Sequence, residues 1–409
     1  MFHLECIGCH EKFGGEKVIY VCERCGDLLD VKYDYLELES KLRSKEWEKQ
    51  PLSVWKYKDF LPILDLSKVV SLGEGGTRLY ECSRLGRRLG VKKLYVKNEG
   101  DNPTGSFKDR GMTVGVTKAL EYGRKAVLCA STGNTSASLA AYAAKAGLRC
   151  VVVVPSKKIA RGKLVQAVAY GAQLIPVKGG FDDALKIVLK LSQARKDLYL
   201  LNSINPYRIE GQKTLAYEIA DGLRGRPPDK VFIPVGNAGN ISALWKGFKE
   251  YRRLNLIDSL PQTIGIQAVG AAPIAEAVKS GSETVKPKSH PETVATAIRI
   301  GSPVSWKKAL QAIWESRGTA ETVTDGEIME AQRMLASQEG LFVEPASAST
   351  IAGLKKLVEE GVVGRDEEVV CIATGHGLKD PDTPLKFSEK AEEVEAEVEA
   401  VEKAIGVLR

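Results

Sequence analysis

The stretch Ala126-Val-Leu-Cys129-Ala-Ser131-Thr-Gly-Asn134-Thr135-Ser136 joins a short apolar run to an alanine-rich segment at residues 137–146. An apolar run of this length predicts a buried strand, and the alanine-rich segment predicts a helix. Five other short stretches, rich in apolar and β-branched residues, are candidate strands: residues 94–97, 150–154, 231–235, 263–268 and 368–372. Alternation of such runs with helical segments predicts parallel sheets covered by helices, with ligands at the carboxyl ends of the strands.

The composition sets limits on the class of protein. With 409 residues, 44% hydrophobic and 27% charged, the chain is expected to be globular and to form two or three structural units. Its 59 basic residues are mixed with 52 acidic ones, which argues against a nucleic-acid surface and suits a small phosphorylated ligand. Because it has neither a long apolar span nor a signal-like start, we expect a cytoplasmic protein without a membrane partner.

Cysteines cluster at the start of the sequence. Cys6-Ile-Gly-Cys9 and Cys22-Glu-Arg-Cys25 form two CxxC pairs separated by twelve residues. This spacing is typical of a structural zinc site with four thiolate ligands; metal-free or redox-active pairs are the alternatives. Because residues 1–34 hold few apolar side chains, we expect the metal to supply the folding energy of this module. The other four cysteines stand alone in apolar surroundings and are expected to be buried thiols of a reducing compartment: Cys82, Cys129, Cys150 and Cys371.

A lysine occurs in the segment Asn102-Pro-Thr-Gly-Ser-Phe-Lys108-Asp-Arg-Gly. The Pro-Thr-Gly turn leads into a predicted helix that begins near Ser106. The positive field of a helix start and the neighbouring Phe107 would lower the pKa of Lys108, which would make it an amine nucleophile or base. A single lysine is rarely catalytic, so this interpretation depends on the other turns.

Three further turns carry polar groups at strand ends. The hydroxyls, amide and glycine of residues 131–136 fit an anion site, but the same residue types are preferred at helix N-caps, so this turn alone favours neither. Pro234-Val-Gly236-Asn-Ala-Gly239-Asn240 precedes a predicted helix at residues 241–251, and its small residues predict a phosphate cup rather than a Walker or dinucleotide loop. Ala373-Thr374-Gly-His376-Gly-Leu-Lys-Asp places a hydroxyl where it could meet a ring nitrogen, and a lone His376 is more often structural.

Two segments carry no chemistry. Residues 40–58 are polar and helix-prone, and they are expected to connect the cysteine module to the body. In the tail, apolar residues recur at steps of three and four and predict an amphipathic helix: Ala391, Val394, Val398, Val401 and Ile405. This stripe is expected to pack on the protein's own body, with self-association as the alternative.

Taken in this order, the four turns resemble the threonine synthase family, which belongs to the tryptophan-synthase-β-like pyridoxal-phosphate enzymes. The resemblance covers roughly residues 70–380, includes Phe342-Val-Glu-Pro-Ala-Ser347 and residues 295–306, and extends to the metal-binding start of some members. It implies an α/β fold with two open, mostly parallel sheets, each covered by helices. The expected units are a zinc-ribbon-like module (1–35), a large cofactor domain (36–101 and 205–380), a small α/β domain (102–204) and a tail helix (381–409).

The resemblance also implies a role for each matching residue. Lys108 would form a Schiff base with pyridoxal 5′-phosphate, Asn134 would bond the 3′ oxygen of the cofactor, and Thr374 would meet the pyridine nitrogen. The cofactor phosphate would lie on Gly236, Asn237, Ala238, Gly239 and Asn240. The phosphate of the substrate would be held by Ser131, Thr135, Ser203, Arg208 and Asn237. The implied reaction converts O-phospho-L-homoserine and water to L-threonine and phosphate, in a homodimer.

Other functions stay open at this point. Ser302 stands where the family usually has Asn, and Val269 stands where Glu is common, which puts fine substrate discrimination in doubt. A cysteate synthase acting on phosphoserine and sulfite resembles the same motifs, whereas serine/threonine dehydratases usually carry a longer glycine run. A non-catalytic zinc-ribbon binding protein is disfavoured because residues 1–35 hold seven acidic and four basic residues, a poor match to nucleic acid.

Overall fold

The computed structural model describes residues 2–43, 45–156, 161–386 and 393–406. The strands are β1 Phe2–Cys6, β2 Lys12–Gly14, β3 Leu29–Tyr33, β4 Leu79–Glu81, β5 Lys93–Asn98, β6 Ala126–Ala130, β7 Arg149–Pro155, β8 Gln173–Val177, β9 Leu198–Leu200, β10 Lys230–Pro234, β11 Gln262–Ala268, β12 Thr319–Val323 and β13 Glu368–Ala373. The helices are α1 Tyr35–Leu42, α2 Ser83–Leu89, α3 Lys108–Glu121, α4 Asn134–Lys145, α5 Arg161–Ala169, α6 Phe181–Ala194, α7 Pro206–Gln212, α8 Thr214–Gly222, α9 Gly239–Arg253, α10 Pro273–Lys279, α11 Trp306–Glu315, α12 Asp325–Glu339, α13 Pro345–Glu359, α14 Asp382–Lys386 and α15 Val398–Ile405. In the described part of the chain, no helix combines the length and apolarity needed to span a bilayer.

Two open sheets form the body of the protein. The larger has the order β12-β11-β10-β13-β5-β4 and is parallel except for the antiparallel edge strand β4. The smaller has the order β8-β7-β6-β9 and is parallel throughout. All six predicted runs are strands of these sheets, so the expected fold class is confirmed. The strands of the smaller sheet fall within residues 102–204, while the division of the chain into domains stays a prediction.

The cysteine module forms a third, antiparallel sheet of order β2-β1-β3. Its apolar side chains Leu4, Phe13 and Val31 are buried in one cluster with Val114 of α3 and Tyr207 of α7. The expectation that the metal alone must supply the folding energy is therefore wrong in one respect. The apolar side chains of the module share a core with α3 and α7, so their burial against the body also stabilises the module.

The helix-prone connector at residues 40–58 contains the end of α1 at Leu42 and 3₁₀ turns at Glu46–Lys49 and Val54–Phe60. The structure corrects two further expectations. Helix α3 begins at Lys108, two residues later than predicted, because Ser106 instead forms a β-bridge with Gly375. The tail helix α15 has no buried residue, so its stripe does not pack on the described part of the body, and Ala391 lies outside the described residues.

A cluster of buried charges fixes the start of α3. The Nε atom of Arg110 lies 2.6 Å from Glu99 Oε2, and its Nη1 atom lies 2.7 Å from Glu218 Oε1. Lys97 Nζ lies 2.7 Å from Glu218 Oε2, and all four side chains are at most 1% exposed. Two positive and two negative charges cancel, which makes this burial tolerable. The cluster ties α3 to β5 and α8.

We predict that Arg110→Met destabilises the protein by about 3–5 kcal/mol, because it leaves the buried Glu99 without a cationic partner and Glu218 with Lys97 alone. Unfolding in urea, followed by circular dichroism, measures this loss. Arg149→Met is the control: its side chain is 73% exposed, and its loss should change the free energy of unfolding by less than about 0.5 kcal/mol. Equal stability of Arg110→Met and the unsubstituted protein would contradict the role of the cluster.

Candidate active site

Two of the four predicted turns, far apart in the sequence, are hydrogen-bonded to each other. The amide of Phe107 donates to the carbonyl of Thr374 at 3.0 Å, and the amide of His376 donates to the carbonyl of Gly105 at 2.9 Å. His376 itself closes its own turn, since its Nδ1 accepts from the amide of Leu378 at 3.1 Å. This is the structural role expected for a lone histidine there. The turn that carries the lysine and the turn that carries Thr374 therefore form one unit.

Lys108 occupies the first position of α3 and is half-buried. Its Nζ lies 3.8 Å from the centre of the Phe107 ring. Burial of the amine lowers the pKa of Lys108 to about 7, with the positive charge of Arg208 acting in the same direction and Glu344 opposing the shift. Near neutral pH a large share of this amine is uncharged, which is the form that attacks a carbonyl group.

The buried Glu344 accepts hydrogen bonds from Asn134 and Thr374, the two residues predicted to contact the cofactor ring. Asn134 Nδ2 donates to Glu344 Oε2 at 3.0 Å, and Thr374 Oγ1 donates to Glu344 Oε1 at 3.1 Å. Burial raises the pKa of Glu344, and hydrogen bonds from Asn134 act against that rise. Ser347 Oγ lies 3.1 Å from Thr374 Oγ1 on the other side. Sequence reasoning assigned no role to Glu344 or Ser347, because a Glu-Pro pair at a helix start gives no sign of being buried.

The glycine turn before α9 has the backbone of an anion site. Ala238 adopts a left-handed conformation with φ of 65°, and α9 begins at the next residue. A Cβ on Gly236 would lie 3.1 Å from the carbonyl oxygen of Ala297, so the chain passes closely there. Both side-chain amide atoms of Asn240 are buried without a hydrogen-bond partner among the described residues. The unpaired Nδ2 donor of Asn240, at the start of a helix, fits a phosphate oxygen as its acceptor.

Helix α7 presents a second cationic group. Arg208 is 3% exposed, and its Nε is buried without a hydrogen-bond partner in the described part of the chain. The Oε1 atom of Gln212, one turn later, is unpaired in the same way. Burial lowers the pKa of Arg208 to about 10, so it stays charged at neutral pH. Gln212 was missed from sequence, where it is one of many polar helix residues.

The remaining predicted substrate contacts are only half-buried, so they are accessible to a ligand: Ser131, Thr135, Ser203 and Asn237. Ser131 Oγ accepts from the amide of Gly133 at 3.2 Å, and Asn237 Oδ1 accepts from the amide of Val304 at 3.4 Å. These contacts hold each turn in shape.

The four cysteines of the N-terminal module are brought together. Their sulfur atoms all lie within 4.8 Å of one another, with Cys6 to Cys25 at 3.4 Å and Cys9 to Cys22 at 3.6 Å. A tetrahedral zinc ion with Zn–S bonds of about 2.3 Å places its sulfurs about 3.8 Å apart, so the cluster fits this metal. The amides of Gly8 and Cys9 point to Cys6 Sγ at 3.4 and 3.5 Å and would stabilise a thiolate there.

Comparison with known proteins agrees with this geometry. Residues 70–375 match the family model of pyridoxal-phosphate dependent enzymes. The chain is 57% identical to the threonine synthase of Methanocaldococcus jannaschii, covering 98% of this chain and 99% of that one. It is 56% identical to the threonine synthase of Methanosarcina acetivorans, covering 99% of each. Among solved structures, the processed form of threonine deaminase isoform 2 from Solanum lycopersicum matches in fold, with a TM-score of 0.64, 24% identity, and 80% of this chain and 92% of that one covered.

The pKa of Lys108 predicts a pH dependence with a definite sign. Only the neutral amine attacks an aldehyde, so uptake of added pyridoxal phosphate by the cofactor-free protein should accelerate with pH through about 7 and then level off. An ordinary lysine would continue to accelerate towards about 10.4. Arg208→Met removes a repelling charge and should move the midpoint to higher pH, whereas Glu344→Gln should move it to lower pH.

Stopped-flow absorbance at a series of pH values measures this midpoint. The two variants serve as controls for each other, because loss of packing alone would not shift the midpoints of their pH profiles in opposite directions. A midpoint near that of a free lysine, or shifts of the same sign, would contradict the prediction.

Proposed function

The chain belongs to the pyridoxal-phosphate dependent enzymes and, within them, to the threonine synthases, and from this premise we propose that it converts O-phospho-L-homoserine and water to L-threonine and phosphate. The observation that carries the choice of substrate is Arg208, a buried cation with an unpaired Nε close enough to Lys108 to lower the pKa of that amine. A phosphate group on the substrate would satisfy it. The reacting amine and the leaving phosphate would then share one buried site.

The residues of the site fit the cofactor. Lys108 would hold it through the ε-amine, and the turn Gly236 to Asn240 would hold its phosphate through backbone amides and the unpaired Asn240 side chain. Asn134 and Thr374 would turn from Glu344 towards the ring. When bound, pyridoxal phosphate supplies a conjugated ring that takes up electrons as a proton leaves the substrate carbon.

Side chains of the protein would carry out proton transfer and hold the phosphate of the substrate. Lys108, with a pKa of about 7, can accept a proton from one substrate carbon and return it to another at neutral pH. Arg208 can hold the phosphate through two parallel hydrogen bonds and orient it as it leaves. Thr374 offers the ring nitrogen a hydroxyl rather than a carboxylate, so it supplies no full negative charge there. Catalysis then depends more on the charges of Arg208 and Glu344.

We predict that Arg208→Ala lowers kcat/KM for phosphohomoserine roughly 10²- to 10³-fold, because a charged, bidentate contact to phosphate is lost. The visible absorbance of the bound cofactor should persist. Arg208→Lys should recover only part of the activity, since it keeps the charge but loses the planar fork. Arg195→Ala, at an exposed arginine, is the control. Near-normal turnover by Arg208→Ala would refute this role.

The choice of substrate is tested directly by identifying the product. Purified protein is mixed with phosphohomoserine in one reaction and with phosphoserine and sulfite in a second. Threonine in the first and no amino-acid product in the second supports the proposal. Cysteate in the second reaction, without threonine in the first, would assign the protein to the other chemistry.

We also propose that the four cysteines bind one structural zinc ion. The sulfur separations and the amides directed at Cys6 support this, and four thiolates leave no open position for catalysis. Metal analysis should find about one zinc per chain. Cys25→Ser should lose it, whereas Cys150→Ala, at an isolated thiol in the small sheet, should keep it. Equal metal content in both variants would contradict the site.

A homodimer in the cytoplasm is proposed on the family resemblance, and the free, buried thiols suit a reducing compartment. Light scattering that gives the monomer mass of 44.5 kDa would exclude the dimer.

A further inference from the structure

The N-terminal sheet β1–β3 with its four cysteines, residues 2–33, is here named the four-cysteine module. It lies against α7, the helix that carries Arg208. Phe2 packs edge-on against the Tyr207 ring with centroids 6.3 Å apart, and Leu4, Phe13 and Val31 share a buried cluster with Tyr207. The module therefore packs against one face of α7, the face of Tyr207, while Arg208 lies on another face of the same helix.

The chain that follows each CxxC pair makes one hydrogen bond with α7, here called an anchor. The chain from Cys9 continues through β2 to Gly15, whose carbonyl oxygen accepts from Tyr207 Oη at 3.1 Å. The chain from Cys25 continues through β3 to Tyr33, whose Oη donates to Glu210 Oε2 at 2.7 Å. A metal ion bound by both pairs would join the two strands that reach these anchors.

The two anchors lie on either side of Arg208 in the sequence. Tyr207 and Glu210 are three residues apart and share the face of α7 that meets the module. Arg208 and Gln212 are four residues apart and share another face, where Arg208 Nε and Gln212 Oε1 are buried and unpaired among the described residues. Because α7 has only seven residues, its own hydrogen bonds cannot fix it, and its contacts set its position.

Lys246 on α9 strengthens the same contact. Its Nζ lies 2.6 Å from Glu210 Oε1 and 2.6 Å from the carbonyl oxygen of Val31. The ammonium thus bonds α7 and β3 at once. Helix α9 itself has fifteen residues with a buried face of its own, so the glycine turn at its start depends much less on the module.

We propose that the metal-bound four-cysteine module positions Arg208, so that loss of the metal weakens the binding of phosphorylated substrate while the cofactor stays attached. This rests on the phosphate role of Arg208 proposed above. Without the metal, the two CxxC turns are joined only through the pairing of β1 with β2 and β3, so the sheet that carries Gly15 and Tyr33 is less rigid. Helix α7 then loses the fixed anchors on both sides of Arg208.

The cofactor-bound, metal-bound enzyme is compared with Tyr33→Phe, with the matched control Tyr35→Phe, and with the metal-free double variant Cys22→Ser/Cys25→Ser. Tyr35 Oη donates to Glu250 at 3.4 Å, on α9 rather than on α7. We expect Tyr33→Phe to raise KM roughly 3- to 10-fold, the size of one buried hydrogen bond, with kcat within about twofold. The metal-free variant should show a larger rise of KM, and Tyr35→Phe none.

A measurement that does not depend on turnover is the dissociation constant of inorganic phosphate, obtained by calorimetry on the cofactor-bound enzyme. It should rise in parallel with KM in Tyr33→Phe and in the metal-free variant, while the visible absorbance of the cofactor is unchanged. In an Arg208→Ala background, Tyr33→Phe should have no further effect on phosphate affinity, because both changes act on one contact.

The outcomes separate the two proposals. If Arg208→Ala binds phosphate as tightly as the unsubstituted enzyme, the role of Arg208 itself fails. If Arg208→Ala binds it weakly but Tyr33→Phe and the metal-free variant bind it normally, the positioning role of the module is overturned. An equal loss of kcat and of cofactor absorbance at unchanged phosphate affinity would overturn it as well.

Discussion

The neutral cluster around Arg110 is the constraint on which the site depends. Lys108 must sit on a rigid helix start and yet keep its amine free of a strong partner that would stabilise the charged form. Arg110, two residues later, supplies that rigidity, since it donates to four buried side chains: Glu99, Glu218, Thr77 and Thr214. Because the charges cancel within the cluster, the pKa of Lys108 is set by burial and by the charges of Arg208 and Glu344.

The central strands of both sheets could be predicted from sequence, and the edge strands could not. A parallel strand buried on both faces appears as a short, mainly apolar run, and β6, β7, β10 and β13 do so, while β5 and β11 are interrupted by Lys97 and Gln267. The four body strands without a predicted counterpart are β4, β8, β9 and β12, and each lies at the edge of its sheet. An edge strand leaves one row of backbone groups unpaired, so Pro176 is tolerated in β8, whereas the buried Glu321 in β12 is paired with Lys279 and Lys356.

The site was predictable where its parts are local in sequence. The lysine turn, the glycine turn and the Thr374 turn each combine a strand end with small or polar residues, and this pattern can be recognised without a fold. Glu344 and Gln212 give no such signal, because their importance comes from burial that only the assembled sheets produce. The docking of the cysteine module on α7 is also non-local: Gly15 and Tyr33 look like ordinary turn and strand residues until Tyr207 and Glu210 lie opposite them.

Fold alone does not select the substrate, since a threonine deaminase structure superimposes on this chain with a TM-score of 0.64. A buried guanidinium without a carboxylate partner among the described residues is costly to maintain, because its charge is not compensated by the protein. The contacts of α7 with the four-cysteine module and with Lys246 oppose movement of Arg208 towards water. A bound phosphate would compensate the buried charge.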